Sequence, residues 1–262
     1  MFRLTSVLFL IVSLFSGIGP AEAQPSVPSK AYSVPVILYH RFADTSSNEM
    51  TVTVREFEEQ MALIKKEGYT VIPLKQLVDA YLGKGAFPPP KSVVLVVDDA
   101  HRSFYETGHP IMKRLGYPAT LFVYPSCISR ASYAMTWEQL REVGKNGVDI
   151  QSHTYYHPNF KVEARKQSPA DYEKFVNDQL RKSKRVLEEK IGKQISYLAY
   201  PFGLFDDVVE RKLLENGYEA GFSIVRKSNG PADVKTRLNR YLIVPRTSLK
   251  EFKRILETSR AS

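Results

Sequence analysis

Short apolar runs alternate along the chain with longer segments whose apolar residues recur at helical spacing. VPVILYHRF at 34–42 and VVLVV at 93–97 are two of the apolar runs. Strands that are apolar on both faces are typical of parallel sheets covered by helices. The apolar residues Phe57, Met61, Leu63 and Ile64 have the spacing of one face of a helix. The pattern therefore predicts an α/β protein with a parallel sheet.

The same pattern divides the rest of the chain. The predicted strands cover 34–42, 70–72, 93–97, 118–125, 148–154, 195–203, 219–225 and 238–246. The predicted helices cover 53–67, 73–85, 108–117, 136–147, 169–191, 206–218 and 248–259. With about seven β/α units and no internal repeat, we predict a distorted (β/α)7-type barrel. Reactive residues of such barrels lie where strands end, which directs attention to Asp98, Asp99, His153 and the segment 200–203.

Residues 1–23 have the pattern of a secretory signal peptide. Arg3 precedes an apolar run over 4–18, and the segment closes with Ala-Glu-Ala before Gln24. We therefore expect export to the periplasm or the cell surface. An uncleaved membrane anchor is the alternative, although the apolar run is shorter than the roughly 20 residues of a spanning helix. No later segment has the apolar character of a membrane span.

The mature chain is predicted to hold a flexible Pro/Ser-rich lead-in at 24–33 and one domain at 34–262. Cys127 is the only cysteine, so an exported chain must draw its stability from core packing or a metal. The net charge of +9 favours an anionic neighbourhood, such as a cell-wall polymer or a membrane surface. We expect no nucleic-acid partner, because no such motif is present, and we expect a monomer.

Two adjacent carboxylates, Asp98 and Asp99, end the apolar run at 93–97. Like charges repel, and carboxylates beside an apolar wall are costly unless a metal, a cation or a bound proton compensates them. The alternative is that the pair caps the next helix, whose N-terminus attracts negative charge. His153 and His157 stand four residues apart after another predicted strand. On a helical turn such a pair shares one face, although chance surface histidines give the same spacing.

Together, one carboxylate and two imidazoles make the ligand set of a catalytic metal with open positions. Such a metal polarises a carbonyl and activates water. Asp99 then serves as a ligand, and Asp98 is free to act as the base. Zinc suits these ligands best, and cobalt, nickel or iron also fit them.

Three segments in order resemble the first three motifs of the polysaccharide deacetylases, carbohydrate esterase family 4, which carry the NodB homology domain. These are VVLVVDDA, SHTYYHP and AYPFG. The opening VPVILYHRF resembles the first strand of the exported poly-N-acetylglucosamine deacetylase branch, and the resemblance covers roughly 34–226. It implies a distorted barrel that hydrolyses N-acetyl groups of N-acetylglucosamine units in a polysaccharide and releases acetate.

The resemblance also implies roles for individual residues. Asp98 is the expected general base, and Asp99, His153 and His157 are the expected metal ligands. The expected substrate-binding wall is formed by Tyr200, Pro201, Phe202 and Gly203, with the backbone N–H of Phe202 at the oxyanion.

The chain departs from the family pattern at three places. Ala100 stands where a glycine usually follows the aspartates, and SYLAYPFG lacks the arginine that orients the base. No histidine follows His157 to protonate the leaving amine, and the late strand offers arginines such as Arg240 instead. Either the acid comes from elsewhere, or water fills the role, or turnover is slow. His101 is a candidate replacement acid or extra ligand, with a helix cap as its competing interpretation. His40 either faces the groove or has a structural role.

Two further hypotheses stay open beside the deacetylase. One is a catalytically weak or inactive relative that binds glycan, suggested by the missing histidine and Ala100. The other is a deacylase that acts on another amide or ester, since a fold does not fix a substrate. Chitin-type oligomers, peptidoglycan and exported poly-N-acetylglucosamine all present the same acetamide. The opening strand favours the last of these, in a periplasm.

Overall fold

The computed structural model describes residues 33–259, in which eight parallel strands form one curled sheet. The predicted signal peptide and the lead-in up to residue 32 lie outside the described residues. The strands are β1 (Val36–Tyr39), β2 (Arg41–Ala43), β3 (Thr51–Thr53), β4 (Thr70–Val71), β5 (Ser92–Asp98), β6 (Thr120–Val123), β7 (Asp149–Ser152), β8 (Tyr197–Ala199), β9 (Ala220–Phe222) and β10 (Tyr241–Leu242).

The order of the strands explains the barrel shape. Neighbours run β10-β1-β5-β6-β7-β8-β9, β4 pairs with β5, and β2 pairs with β3 in a separate ribbon. Within residues 33–259, the backbones at the two ends of the curled sheet pair through an isolated parallel bridge between Phe222 and Leu238. The sheet is thus an incompletely closed barrel, and the predicted distorted barrel is confirmed.

Helices cover the outside of the sheet. They are α1 (Val54–Lys66), α2 (Leu74–Tyr81), α3 (His109–Arg114), α4 (Trp137–Lys145), α5 (Phe160–Lys166), α6 (Pro169–Ile191), α7 (Asp207–Glu215) and α8 (Leu249–Glu257). In α6, Ser168 caps the N-terminus by accepting from the N–H of Asp171, and Gly192 ends the helix at φ 72°. Over 33–259 no helix has both the length and the apolar character to cross a membrane.

Two local expectations differ from the structure. The sequence pattern missed α5, because its surface is mostly polar and Phe160 is its only buried residue. The helical turn expected at His153 and His157 is wrong: the chain leaves β7 in a bent loop. Thr154 and His157 have φ of 65° and 63°, which a right-handed helix does not allow.

Alternate residues of the strands pack into two separate cores. Val94 and Val96 of β5 point into the barrel, where Leu77 and Val78 of α2 join them. The other set, which includes Leu95, packs under the outer helices. Because side chains alternate across a strand, each residue's position in the strand decides whether it faces the barrel interior.

Candidate active site

Three polar residues, His40, Asp98 and His153, continue the inward-facing rows of the strands to the carboxyl end of the barrel, and Arg240 lies on an inward-facing row one residue before β10. His40 follows Leu38, Asp98 follows Val96, and Arg240 follows Leu238, each two residues beyond an interior residue. His153 lies one residue past the end of β7. Parallel strands place their carboxyl ends at one edge, so these side chains meet at the mouth of the barrel.

Asp99, His153 and His157 form a cluster whose ligand atoms lie within 4.8 Å of one another. The Oδ1 atom of Asp99 is 3.8 Å from Nε2 of His153 and 3.7 Å from Nε2 of His157. This oxygen is buried and accepts no hydrogen bond from the described residues. A buried, unpartnered carboxylate oxygen that faces two imidazole nitrogens fits a divalent metal such as zinc.

The tautomer of His153 is fixed by its surroundings. Nδ1 lies 2.8 Å from the carbonyl oxygen of Ala199, which can only accept, so Nδ1 carries the hydrogen. Nε2 therefore presents its lone pair to Asp99 and His157, as a metal ligand must. Burial lowers the pKa of His153 to about 3, which keeps the ring neutral at physiological pH.

Backbone conformations that side chains rarely adopt are concentrated around this cluster. Asp99, Ala100, Thr154, His157 and Phe202 all have positive φ, between 52° and 73°. Such conformations cost free energy and persist where surrounding structure enforces them, which is common at functional sites. The value of 52° at Ala100 also gives the physical reason for the glycine usual at this position.

Asp98 is held by Arg240 through a buried ion pair. Nη1 of Arg240 donates to Oδ1 of Asp98 at 2.7 Å, and the two side chains are 0% and 2% exposed. Nε of Arg240 donates to the carbonyl of Ser223 at 2.8 Å, which fixes the guanidinium. Burial alone would raise the pKa of Asp98, but Arg240, with His153 and His40, holds that pKa below its usual value.

The arginine missing from SYLAYPFG thus has a counterpart in Arg240, one residue before β10. In the sequence, Arg240 lies in the late strand where the family pattern has a histidine, and no contact between Arg240 and Asp98 was predicted. The two residues are 142 positions apart, so only the barrel brings them together. The alternation of Leu238, Arg240 and Leu242 was the available signal for an inward-facing guanidinium.

His40 joins the same group from the end of β1. Its ring lies within electrostatic range of Asp98, Asp99 and His157, and its Nδ1 is buried without a hydrogen-bond partner among the described residues. Burial lowers the pKa of His40, whereas the two aspartates act to raise it. Of the two positions left open for His40, in the groove or structural, the ring therefore takes the one beside the cluster.

His101 has a different environment. Its Nδ1 lies 2.9 Å from the hydroxyl of Ser103 and accepts from the backbone N–H of the same residue at 3.2 Å. The ring stacks on Tyr133 with a centroid distance of 6.1 Å. These contacts fit the capping role that was the plain interpretation of His101.

The predicted substrate-binding segment contributes one exposed ring. Phe202 is 51% exposed and its ring centroid lies 4.7 Å from that of His157. Tyr200 is fully buried and its hydroxyl donates to the carbonyl of Thr236 at 2.8 Å, so its ring does not face the groove. Pro201 is also buried, and Gly203 has a φ of 66° that supports the turn.

Comparison with known proteins also relates the chain to the polysaccharide deacetylases. The family described as polysaccharide deacetylase matches residues 86–221, just over half of the chain. The chain is 26% identical to YxkH of Bacillus subtilis over 192 residues, which are 73% of this chain but 64% of YxkH. It thus spans less than two thirds of that relative.

The chain is similar over a longer stretch to the poly-beta-1,6-N-acetyl-D-glucosamine N-deacetylase of Staphylococcus aureus strain MRSA252. The identity is 26% and covers 92% of this chain and 90% of that protein. Among solved structures, the Streptococcus pyogenes deacetylase PplD superposes with a TM-score of 0.76 and 24% identity, over 88% of this chain and 99% of PplD. At this identity the likeness to PplD establishes the fold.

Proposed function

The chain belongs to the polysaccharide deacetylase family, and from that premise we propose that it is an exported, metal-dependent N-deacetylase of polymers containing N-acetylglucosamine. The observation that carries the proposal is the ionised, arginine-held Asp98 beside the Asp99, His153 and His157 cluster. A base next to a metal site is the arrangement that amide hydrolysis requires.

Asp99, His153 and His157 are the residues that would hold the divalent ion, with zinc best matched to them. When bound, the ion supplies Lewis acidity for the acetyl carbonyl and lowers the pKa of a water molecule. The hydrogen bond from His153 to Ala199 orients the imidazole for this purpose.

Asp98 has the proposed role of general base. Oδ1 is engaged by Arg240, whereas Oδ2 lies 3.6 Å from Nε2 of His153, on the side of the cluster. A carboxylate held in this way stays ionised and keeps one oxygen ready to take the proton of the attacking water. Arg240 acts through Asp98 and is therefore a positioning residue.

His40 has the proposed role of general acid. The water oxygen bonds to the acetyl carbon, its proton passes to Asp98, and the carbon–nitrogen bond breaks as the amine takes a proton from His40. The products are acetate and a free amino sugar. Burial lowers the pKa of His40, and Asp98, which stands within electrostatic range of the ring, acts in the opposite direction. The backbone N–H of Phe202 is the proposed oxyanion donor.

The proposed polymer is exported poly-N-acetylglucosamine or a related glycan with the same acetamide. The activity for which the Staphylococcus aureus relative is named supports this class of substrate. The apolar segment within residues 1–23 supports export to the periplasm or the cell surface.

Acetate release from N-acetylglucosamine oligomers tests the proposal. We expect release by the metal-loaded chain, none after chelation, and recovery when zinc, cobalt, nickel or iron is restored. Small acetyl esters provide the matched second substrate. Turnover of the esters alone would indicate a different acyl substrate, and binding of oligomers without any release would indicate a glycan-binding relative.

A further inference from the structure

A second groove borders the loop that carries the two histidines of the cluster. Its volume is about 700 Å³, and its walls are Tyr155 and Tyr156 on the loop and one face of α6. The residues that α6 contributes are Phe175, Asp178, Gln179, Arg181, Lys182 and Arg185. We call this surface the basic groove. Tyr156 directly precedes His157, so the basic groove begins one residue from the cluster.

An aromatic platform forms the floor of the basic groove. Tyr156 is 45% exposed, and its ring meets Phe175 edge to face with a centroid distance of 5.9 Å. The backbone N–H of Tyr156 donates to the side-chain oxygen of Gln179 at 3.2 Å, which fastens the loop to α6. An exposed, fixed ring with an apolar face is suited to pack against a sugar ring.

Positive charge is in excess among the side chains that line the basic groove. Asp178 is its only carboxylate, and this group pairs with Arg181 at 3.5 Å. Nζ of Lys182 lies 3.8 Å above the ring of Tyr155, and Arg185 is exposed with no carboxylate partner among residues 33–259. Two positive charges are thus left without a counter-charge. A guanidinium and an ammonium at one rim are suited to a carboxylate or a phosphate.

We propose that the basic groove binds an anionic group on the substrate polymer, a carboxylate or a phosphate ester on a sugar near the acetamide under attack. The inference rests on the proposed deacetylase function and, among the related glycans with the same acetamide, favours those that carry an acidic group. Tyr156 packs against the sugar, while Lys182 and Arg185 pair with its negative group.

Three matched probes test the inference on the full chain. They are the neutral hexamer of N-acetylglucosamine, the same hexamer oxidised to carboxylates at C6, and the same hexamer phosphorylated at O6. Dissociation constants come from calorimetry at low and at physiological ionic strength. We expect the acidic hexamers to bind roughly tenfold more tightly than the neutral one at low salt, since each exposed charge contributes about fivefold or less.

Substitutions in the basic groove test whether the preference for acidic hexamers arises there. Arg185→Ala and Lys182→Ala should each lower the ratio of neutral to acidic dissociation constants by about threefold. Arg254→Ala is the matched control, because it removes an exposed arginine from α8 and leaves the ratio unchanged. The acidic hexamer with the lower dissociation constant shows whether the groove prefers a carboxylate or a phosphate.

Two results would overturn the inference. One is equal affinity of the chain for neutral and acidic hexamers. The other is a ratio of neutral to acidic dissociation constants that falls equally in Arg254→Ala and Arg185→Ala. Acetate release from the neutral hexamer is measured in parallel. Release without acidic preference refutes only this inference, whereas no release from any hexamer refutes the proposed deacetylase function.

Discussion

Replacement of Arg240 by methionine removes one half of a buried ion pair and leaves the other half uncompensated. Methionine approximates the volume of the arginine stem, so the change removes charge and hydrogen bonds more than packing. Asp98 would retain its charge in a site where it is 2% exposed. The carbonyl of Ser223 would also lose the donor that Nε provides at 2.8 Å.

The expected size of the effect follows from this burial. Removing one partner of a buried ion pair costs about 3–5 kcal/mol of unfolding free energy. In an Asp98→Asn background the stranded group is neutral, so the same replacement should cost about 1–2 kcal/mol, in the lower part of the range for an unsatisfied polar group. The two residues are therefore expected to be coupled by about 2–3 kcal/mol.

Urea denaturation of the four proteins in this double-mutant cycle measures the coupling, with metal present throughout. Arg237→Met is a matched control: Arg237 contacts Glu210 at 2.6 Å but is 53% exposed. That control should cost about 1 kcal/mol or less. A cost below 1 kcal/mol for Arg240→Met, or no coupling to Asp98, would refute the role given to this pair.

Three other predictions concern separate parts of the chain. His40→Asn should lower kcat by roughly 10²- to 10⁴-fold with unchanged metal content, and an unchanged kcat would exclude His40 as the acid. Burial raises the pKa of Cys127 to about 12, so a thiol reagent at pH 8 should label it only in denaturant; rapid labelling of the native chain would contradict its burial. Gly221→Ala would place a methyl group 2.7 Å from the carbonyl oxygen of Thr236 and should lower the unfolding free energy by about 1–3 kcal/mol. The control Gly85→Ala, which meets no atom within 4 Å, should be neutral, and equal costs would contradict the close packing at Gly221.

Much of the fold was predictable because each signal was local. The run at 93–97 is apolar on both faces, as β5 requires between the barrel interior and the outer helices. Ser168, Pro169 and Gly192 carry the chemistry of helix ends, so the bounds of α6 could be read directly. The helix α5 lacked such a signal, because one buried phenylalanine does not make a periodic pattern.

The site was only partly predictable, because some of its contacts depend on the curl of the whole sheet and not on local sequence. Asp99, His153 and His157 follow strands, and strand ends converge at one edge of a parallel barrel whatever the loop conformation. The contact between Asp98 and Arg240 depends instead on how far the sheet curls, since β10 must come round to β1 beside β5. His40 was weighed only as an open alternative, although its two-residue spacing from Leu38 placed it on the inward row.

The central claim is that Asp98 acts as the base beside a metal held by three other residues. Acetate release by Asp98→Asn and by the unchanged chain, compared at equal metal content, tests it most directly. We expect a loss of roughly 10²- to 10⁴-fold in kcat for Asp98→Asn, with the metal stoichiometry preserved. Release at the rate of the unchanged chain, with metal equally bound, would exclude Asp98 as the base.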